Sequence, residues 1–273
     1  MDRRFWVHSL GSGSSGNAVL VRSGEHSFLI DAGLSLRSLM NALAERETEA
    51  TALTGIVVTH EHSDHIQSAV ALSRRFDIPI VANEATLGRI FRDGAECRHH
   101  VLAVGERWTA GEMEVTTFPV PHDAADPVGV NVRDHATSQK ISVLTDLGHV
   151  NHTVRVATKN ANLLILEANH DVSRLKAGPY PGALKARILG ARGHLSNEAA
   201  VAFLCEHALR HGPHTVWLAH LSKENNTPKL ALGYARATVA VEANCPVVID
   251  VAKRDRPSAS WTPGLKNVQL NLF

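Results

Sequence analysis

Thr59-His60-Glu61-His62-Ser63-Asp64-His65 lies between a short apolar run, Gly55-Ile56-Val57-Val58, and a segment in which Ile66, Val70 and Leu72 form a rough helical stripe up to Arg75. The apolar run reads as a buried strand and the stripe as a helix. The polar stretch is therefore a turn at the carboxyl end of a strand, where rigid backbone can aim short side chains at one point. Imidazole and carboxylate suit divalent zinc, manganese or iron. His60 and His62, two positions apart, can clamp one ion from extended chain, while Asp64 and His65, offset by half a turn, can face a second. Two ions served by one cluster point to hydrolysis. A histidine-rich surface turn would share the composition, but here strand, turn and helix all fall where the motif needs them.

Outward from this turn, the same placement recurs. Strands are expected at Phe5–Leu10, Ala18–Arg22, Ser27–Ile30, Pro79–Ala82, twice or three times between Val101 and Phe118, in a hairpin of Val128–Val132 and Lys140–Leu144, and at Asn162–Leu166, Thr215–Ala219 and Val247–Val251. Helices are expected over Ser35–Arg46, Glu84–Arg92, Ala183–Leu189, Ala199–Leu209 and Leu230–Glu242. Six strands run straight into an ionisable residue: Asp31, His60, His122, Asp146, Glu167 and His220. One strand-end histidine means little; six on one rim make a site. Asp31 either orients a histidine ligand or caps the helix that follows it. Gly11-Ser12-Gly13-Ser14-Ser15-Gly16-Asn17 has the glycines for close backbone approach and hydroxyls and an amide that suit a phosphate, although a tight hairpin turn needs the same residues. Ser14 and Asn17 are accordingly candidate substrate contacts, with His170 and Asn225 in the loops after Glu167 and His220.

Composition narrows the class. A chain of 273 residues with 44% hydrophobic and 20% charged residues is ordinary for a globular protein. A net charge of +1 excludes whole-molecule attraction to nucleic acid, so any such binding must use a local patch. Histidine, at 17 copies, is the outlier. Cys97, Cys205 and Cys245 show no paired spacing, and neither a signal peptide nor an apolar run of about 20 residues is present, which predicts a cytoplasmic address with no membrane attachment.

The ordered series His60-x-His62-x-Asp64-His65, His122, Asp146 and His220 resembles the metallo-β-lactamase superfamily, from Phe5 to about Val251. The resemblance implies an αββα four-layer sandwich with a dimetal site at one edge. It also implies that His60, His62 and His122 hold one ion, that Asp64, His65 and His220 hold the other, and that Asp146 bridges them. Zinc leads as the metal, with manganese and iron also suited. Gly11–Asn17, Glu167-Ala168-Asn169-His170-Asp171, Gly193-His194-Leu195-Ser196-Asn197 and Ala219-His220-Leu221-Ser222 are similar to the YycJ-like (WalJ-like) branch, proposed as bacterial DNA exonucleases.

Glu167 and Gly193-His194 also resemble the pair in transfer-RNA 3′-processing nucleases in which the histidine protonates the leaving oxygen. The substrate arm of those enzymes and the inserted β-CASP domain are not evident, which argues against transfer RNA. The resemblance thus implies a dinuclear phosphodiesterase acting on single-stranded or end-exposed DNA in replication or repair, with Asp64 and Asp146 orienting the attacking water and Glu167 and His194 assisting departure. The alternative is a metal-dependent hydrolase of a small cyclic phosphodiester, a thioester or a lactone.

Beyond Val251 the composition changes. Residues 1–252 read as the catalytic domain and 253–273 as a mobile polar tail. Its end, Gln269-Leu270-Asn271-Leu272-Phe273, resembles the pentapeptide by which bacterial replication and repair enzymes bind the DNA sliding clamp, with Gln269, Leu270, Leu272 and Phe273 as the contacts. Alternatively this end folds back as an edge strand.

Overall fold

The computed structural model describes residues 5–92, 94–211, 215–242 and 247–264. In chain order the strands are β1 (Phe5–Gly11), β2 (Ala18–Ser23), β3 (His26–Ile30), β4 (Leu53–Val57), β5 (Ile80–Ala82), β6 (His99–Val101), β7 (Trp108–Ala110), β8 (Met113–Pro119), β9 (Val128–Asp134), β10 (Gln139–Leu144), β11 (Leu163–Glu167), β12 (Thr215–Ala219), β13 (Val248–Val251) and β14 (Ser260–Trp261). The α-helices are α1 (Leu36–Ala44), α2 (Ser63–Ile66), α3 (Ala69–Phe76), α4 (Glu84–Ile90), α5 (His152–Ala157), α6 (Val172–Ala177), α7 (Gly182–Leu189), α8 (Asn197–His211) and α9 (Pro228–Glu242).

The apolar runs Leu163–Glu167 and Thr215–Ala219 are buried at every position and pair in parallel, as strands covered on both faces must be. Met113–Pro119 instead alternates buried and half-buried positions and pairs antiparallel with its neighbours. Two sheets result, in the orders β14-β1-β2-β3-β4-β5-β6 and β13-β12-β11-β10-β9-β8-β7. Phe5, Phe28, Val130, Ile141 and Trp217 fill the space between them. Leu39, Leu72 and Leu87 bring α1, α3 and α4 onto the outer side of the first sheet, and Leu204, Ala235 and Val239 bring α8 and α9 onto the second. This is the expected αββα sandwich. In the first sheet β3 and β4 run parallel, and in the second β8, β10, β11 and β12 share one direction, so the carboxyl ends of these strands meet at one rim, and that convergence positions the site.

Three readings are corrected. Residues 253–260 do not leave the domain. Ser12 donates its backbone N–H to Lys253 (2.9 Å), Ser258 donates to Ser9 (3.1 Å), and β14 pairs antiparallel with β1 through Val7–Trp261 and His8–Ser260. Trp261 is 6% exposed and meets Phe5 edge-on at 5.9 Å, so an aromatic anchor overrides the polar composition before it. The folded domain thus passes residue 252; the pentapeptide 269–273 lies outside the described residues. The expected helix after the metal turn is two helices, because the Ser68 backbone N–H is taken by the Ala32 carbonyl (2.9 Å) rather than by a carbonyl of the preceding turn. Asp31 is not a cap: the α1 amide of Ser38 bonds to Ser35 Oγ. No described helix is long and apolar enough to cross a membrane, and Cys97 and Cys205 form no disulfide among the described residues.

Candidate metal centre

Three carboxyl-terminal strand ends turn through left-handed backbone at a non-glycine residue: Asp31 (φ 61°), Asp146 (φ 58°) and His220 (φ 53°). Such a conformation costs of order 1–2 kcal/mol and persists where surroundings over-determine it. Here it folds each side chain back over the rim. The turn at 59–65 is pressed against the Ala32-Gly33 backbone, and a Cβ on Gly33 would lie 1.7 Å from the Asp64 carbonyl oxygen, so only glycine fits.

The expected ligands come together in two groups. His60, His62 and His122 form one, and Asp64, His65 and His220 the other; Asp146 lies with His60 and His65, and the candidate ligand atoms within each group are all within 4.8 Å of one another. His60 Nε2 is 3.1 Å and His122 Nε2 3.3 Å from His62 Nδ1, while His220 Nε2 is 3.3 Å from Asp64 Oδ2. These gaps are close to the ~3.3 Å ligand-to-ligand edge expected for tetrahedral coordination at 2.0–2.1 Å. Asp146 Oδ2 is buried and lies 2.8 Å from His65 Nε2. A buried carboxylate oxygen and a buried imidazole nitrogen brought together at one point, beside a further histidine, His60, suit a shared cation. The donor set gathered at this rim suits divalent metal ions.

Three of the candidate ligand imidazoles, His65, His122 and His220, are held through the far nitrogen, which assigns the proton there and leaves the near nitrogen's lone pair inward. His65 Nδ1 donates to Asp31 Oδ2 (2.8 Å), and Asp31 also accepts from the Thr59 backbone N–H (2.8 Å). His122 Nδ1 donates to the Gly193 carbonyl (3.0 Å). His220 Nδ1 donates to Glu167 Oε1 (2.7 Å). The same oxygen accepts from His194 Nδ1 (2.9 Å), and Oε2 takes the Leu147 and Leu195 backbone N–H groups at 3.1 and 2.9 Å. Glu167 thus couples a ligand to His194, a link that strand-end spacing alone did not reveal.

Charge follows these contacts. Burial lowers the pKa of His60 well below the usual imidazole value, helped by the neighbouring His65. Burial would also lower His194, but the Glu167 charge and hydrogen bond, with Asp146, hold its pKa above 6.5. Burial would raise Glu167; His194 and His220 instead hold it down at about 2. His220 is raised to about 10, its burial outweighed by Asp146, Asp64 and Glu167. A cation entering among these carboxylates displaces such ligand protons.

Ser14 and His194 line a cavity of about 170 Å³ with Asp123, Tyr180, Arg187 and Ser222. The other candidate substrate contacts lie elsewhere. Asn17 is 5% exposed and is used internally, its Oδ1 accepting from Gly13 N–H (3.0 Å) and its Nδ2 donating to the Gly13 carbonyl (3.2 Å), so it pins the glycine loop. Asn225 and His170 are each 1% exposed, and neither His170 ring nitrogen has a partner among the described residues. Arg187, which donates to Asp123 (2.5 Å), was not foreseen, since an exposed helical arginine carries no sequence signal.

The profile of the beta-lactamase superfamily domain matches residues 26–221. The chain is 38% identical over 229 residues to exodeoxyribonuclease YycJ of Bacillus anthracis, covering 81% of this chain and 84% of that protein. It is 36% identical over 231 residues to exodeoxyribonuclease WalJ of Streptococcus pneumoniae, covering 81% and 83%. The metallo-beta-lactamase fold protein YhfI of Bacillus subtilis superposes with a TM-score of 0.73 at 18% identity, over 96% of this chain and all of that one, and so shares its fold.

Proposed function

The chain belongs to the beta-lactamase superfamily as a metal-dependent hydrolase, and on that premise we propose that it is a dinuclear phosphodiesterase, an exonuclease acting on single-stranded or end-exposed DNA in replication or repair. The observation that carries this reading is the half-buried His194 imidazole, bonded to Glu167 and set 3.4 Å from Asp146 Oδ1 beside both ligand groups. An alkoxide leaves far more readily with a proton, whereas a thiolate makes no such demand. A histidine kept charged by a buried carboxylate supplies that proton, a contribution typically worth ~10²–10⁴-fold. Two divalent ions, zinc foremost, would polarise the phosphoryl oxygen and lower the pKa of water. Asp64 and Asp146 orient the attacking water, Glu167 keeps His194 protonated, and Ser14 lies where the substrate meets the rim. The names of the YycJ and WalJ relatives favour DNA over a small ester.

The direct test compares a single-stranded oligonucleotide with a thioester, using the full chain under the same metal. Faster turnover of the oligonucleotide is expected; preference for the thioester would overturn the reading. The sequence Gln269–Phe273 further supports recruitment by the sliding clamp, which would concentrate a chain of net charge +1 on DNA. Titration of the clamp with the full chain and with one ending at Lys266 tests this: binding by the full chain alone supports recruitment, while equal binding, or none, removes it.

A further inference from the structure

The segment after Val251 delivers an arginine to the site. Arg254 donates from Nη2 to the carbonyl of Leu221 (2.9 Å), the residue following the ligand His220. Its stem covers Gly13, where a Cβ would stand 3.0 Å from Arg254 Cγ and Nε. Gly13 in turn bridges to Leu221, and its neighbour Ser14 lines the His194 cavity. The guanidinium is half-buried, the hydrogen bond it makes goes to a neutral carbonyl, and its Nε meets no acceptor among the described residues. Desolvating a cation without an anion is costly, and a planar fork with donors left over matches a phosphate.

Behind Arg254 runs a groove of about 480 Å³ between α1 and residues 254–257. Ser15, Ser35, Ser38, Asn41, Gln67 and Arg256 line it, with Glu45 and Asp255 also present. Hydroxyls, amides and guanidinium are the groups that position a nucleic-acid backbone without reading bases.

We propose that Arg254 grips a phosphate of the bound strand beside the one being cleaved, and that this groove carries the adjoining backbone. The inference rests on the nuclease reading and deepens it: a strand held at Arg254 lies across the glycine loop with its scissile phosphate at the rim. It also gives a nearly neutral chain the local cation that nucleic-acid binding requires.

The test uses the full, metal-loaded chain and its Arg254→Met and Arg254→Lys variants. Arg254→Met should raise KM for a single-stranded oligonucleotide by about 10- to 100-fold while kcat stays within about threefold. Binding of a phosphorothioate-protected oligonucleotide, followed by anisotropy, should lose about 0.7 from the slope of log affinity against log salt. Arg254→Lys, which keeps the charge and loses the fork, should restore the slope but only part of the KM. Unchanged KM and slope in Arg254→Met would overturn the proposal. So would a fall in kcat and melting temperature with the slope intact, which marks a structural brace. A wild type that hydrolyses a small diester but neither binds nor cuts oligonucleotides would overturn the nuclease reading itself, and Arg254 as a strand contact with it.

Discussion

On the wall formed by the first sheet, His60, His62, Asp64 and His65 come from six consecutive positions of one turn. On the opposite wall His122, Asp146, Glu167 and His220 come from four separate strand ends, and His194 from a loop. The first wall is local in its ligands, and Asp31, Gly33 and Asn17 hold the turn in place. The second depends on register, because Glu167 lies opposite Ala219 across β11 and β12 and so stands next to His220. A wall of the first kind should fail by losing metal. A wall of the second kind should fail by losing chemistry, except where one residue serves both.

Glu167 is that residue, and Glu167→Gln has the largest expected effect. It removes the carboxylate that charges His194 and the acceptor that orients His220. Turnover of an oligonucleotide should fall by at least ~10²–10⁴-fold, with metal affinity down a further ~10–100-fold. Single-turnover kinetics and a metal titration on the same preparation check both. Intact metal affinity beside lost turnover would show that the bond to His220 is idle and that the second wall is not a shared strut.

His194→Ala isolates the chemical half. Turnover should fall by ~10²–10⁴-fold with metal content near wild type, and added metal should not restore it. Undiminished cleavage of an unactivated phosphodiester would remove His194 as the acid. Because Glu167 and His194 act through one contact, the double variant should lose much less than the product of the single losses.

The contrast also explains what the sequence could disclose. The first wall was legible because its ligands, strand and turn sit in one short window, and the buried strands announced themselves as apolar runs ending in charge. Asp31 was left between two roles, since a strand-end aspartate before a serine serves either; the structure resolves it through Thr59 and His65, which are distant in sequence. Asn17 and Asn225 were read as substrate contacts because amides in glycine- or serine-rich loops suit that role, yet both are buried, Asn17 tied to the Gly13 backbone and Asn225 donating to the Ser222 hydroxyl. Arg254 was concealed by composition: Lys253-Arg254-Asp255-Arg256-Pro257 reads as linker, and the ties that hold it to β1, through Ser258, Ser260 and the buried Trp261, come only after it.

Asp31→Asn probes the first wall alone and should weaken metal binding by ~10–100-fold. The loss lies in orientation of His65 rather than in chemistry, so turnover should return at saturating metal. Turnover that stays depressed with the site filled would mean that Asp31 contributes to the reaction itself, and the division between the walls would not hold.

The smallest expected effect sets His194 against a histidine without a carboxylate. His8 on β1 donates to or accepts from Ser260 Oγ at 2.8 Å and stacks on Trp6 at 5.8 Å. Burial, then the charges of Arg46 and Arg22, lower its pKa from 6.5 to about 4. Burial lowers the pKa of both rings, but Glu167 outweighs it at His194 while Arg46 and Arg22 add to it at His8, so two partly buried imidazoles carry opposite pH signatures. A depressed histidine stabilises the fold fully above its unfolded value near 6.5, and that contribution drains as pH falls toward 4, because the unfolded chain takes up a proton that the native ring refuses. Discounted for the ring's partial exposure, the loss is about 1–2 kcal/mol. His8→Gln cannot titrate, so its melting temperature should fall less steeply than wild type between pH 6.5 and 4, by a few degrees across that window. Parallel curves for the two proteins would mean that the ring is as readily protonated in the folded chain as in water, and that β14 leaves this edge of the first sheet open to solvent.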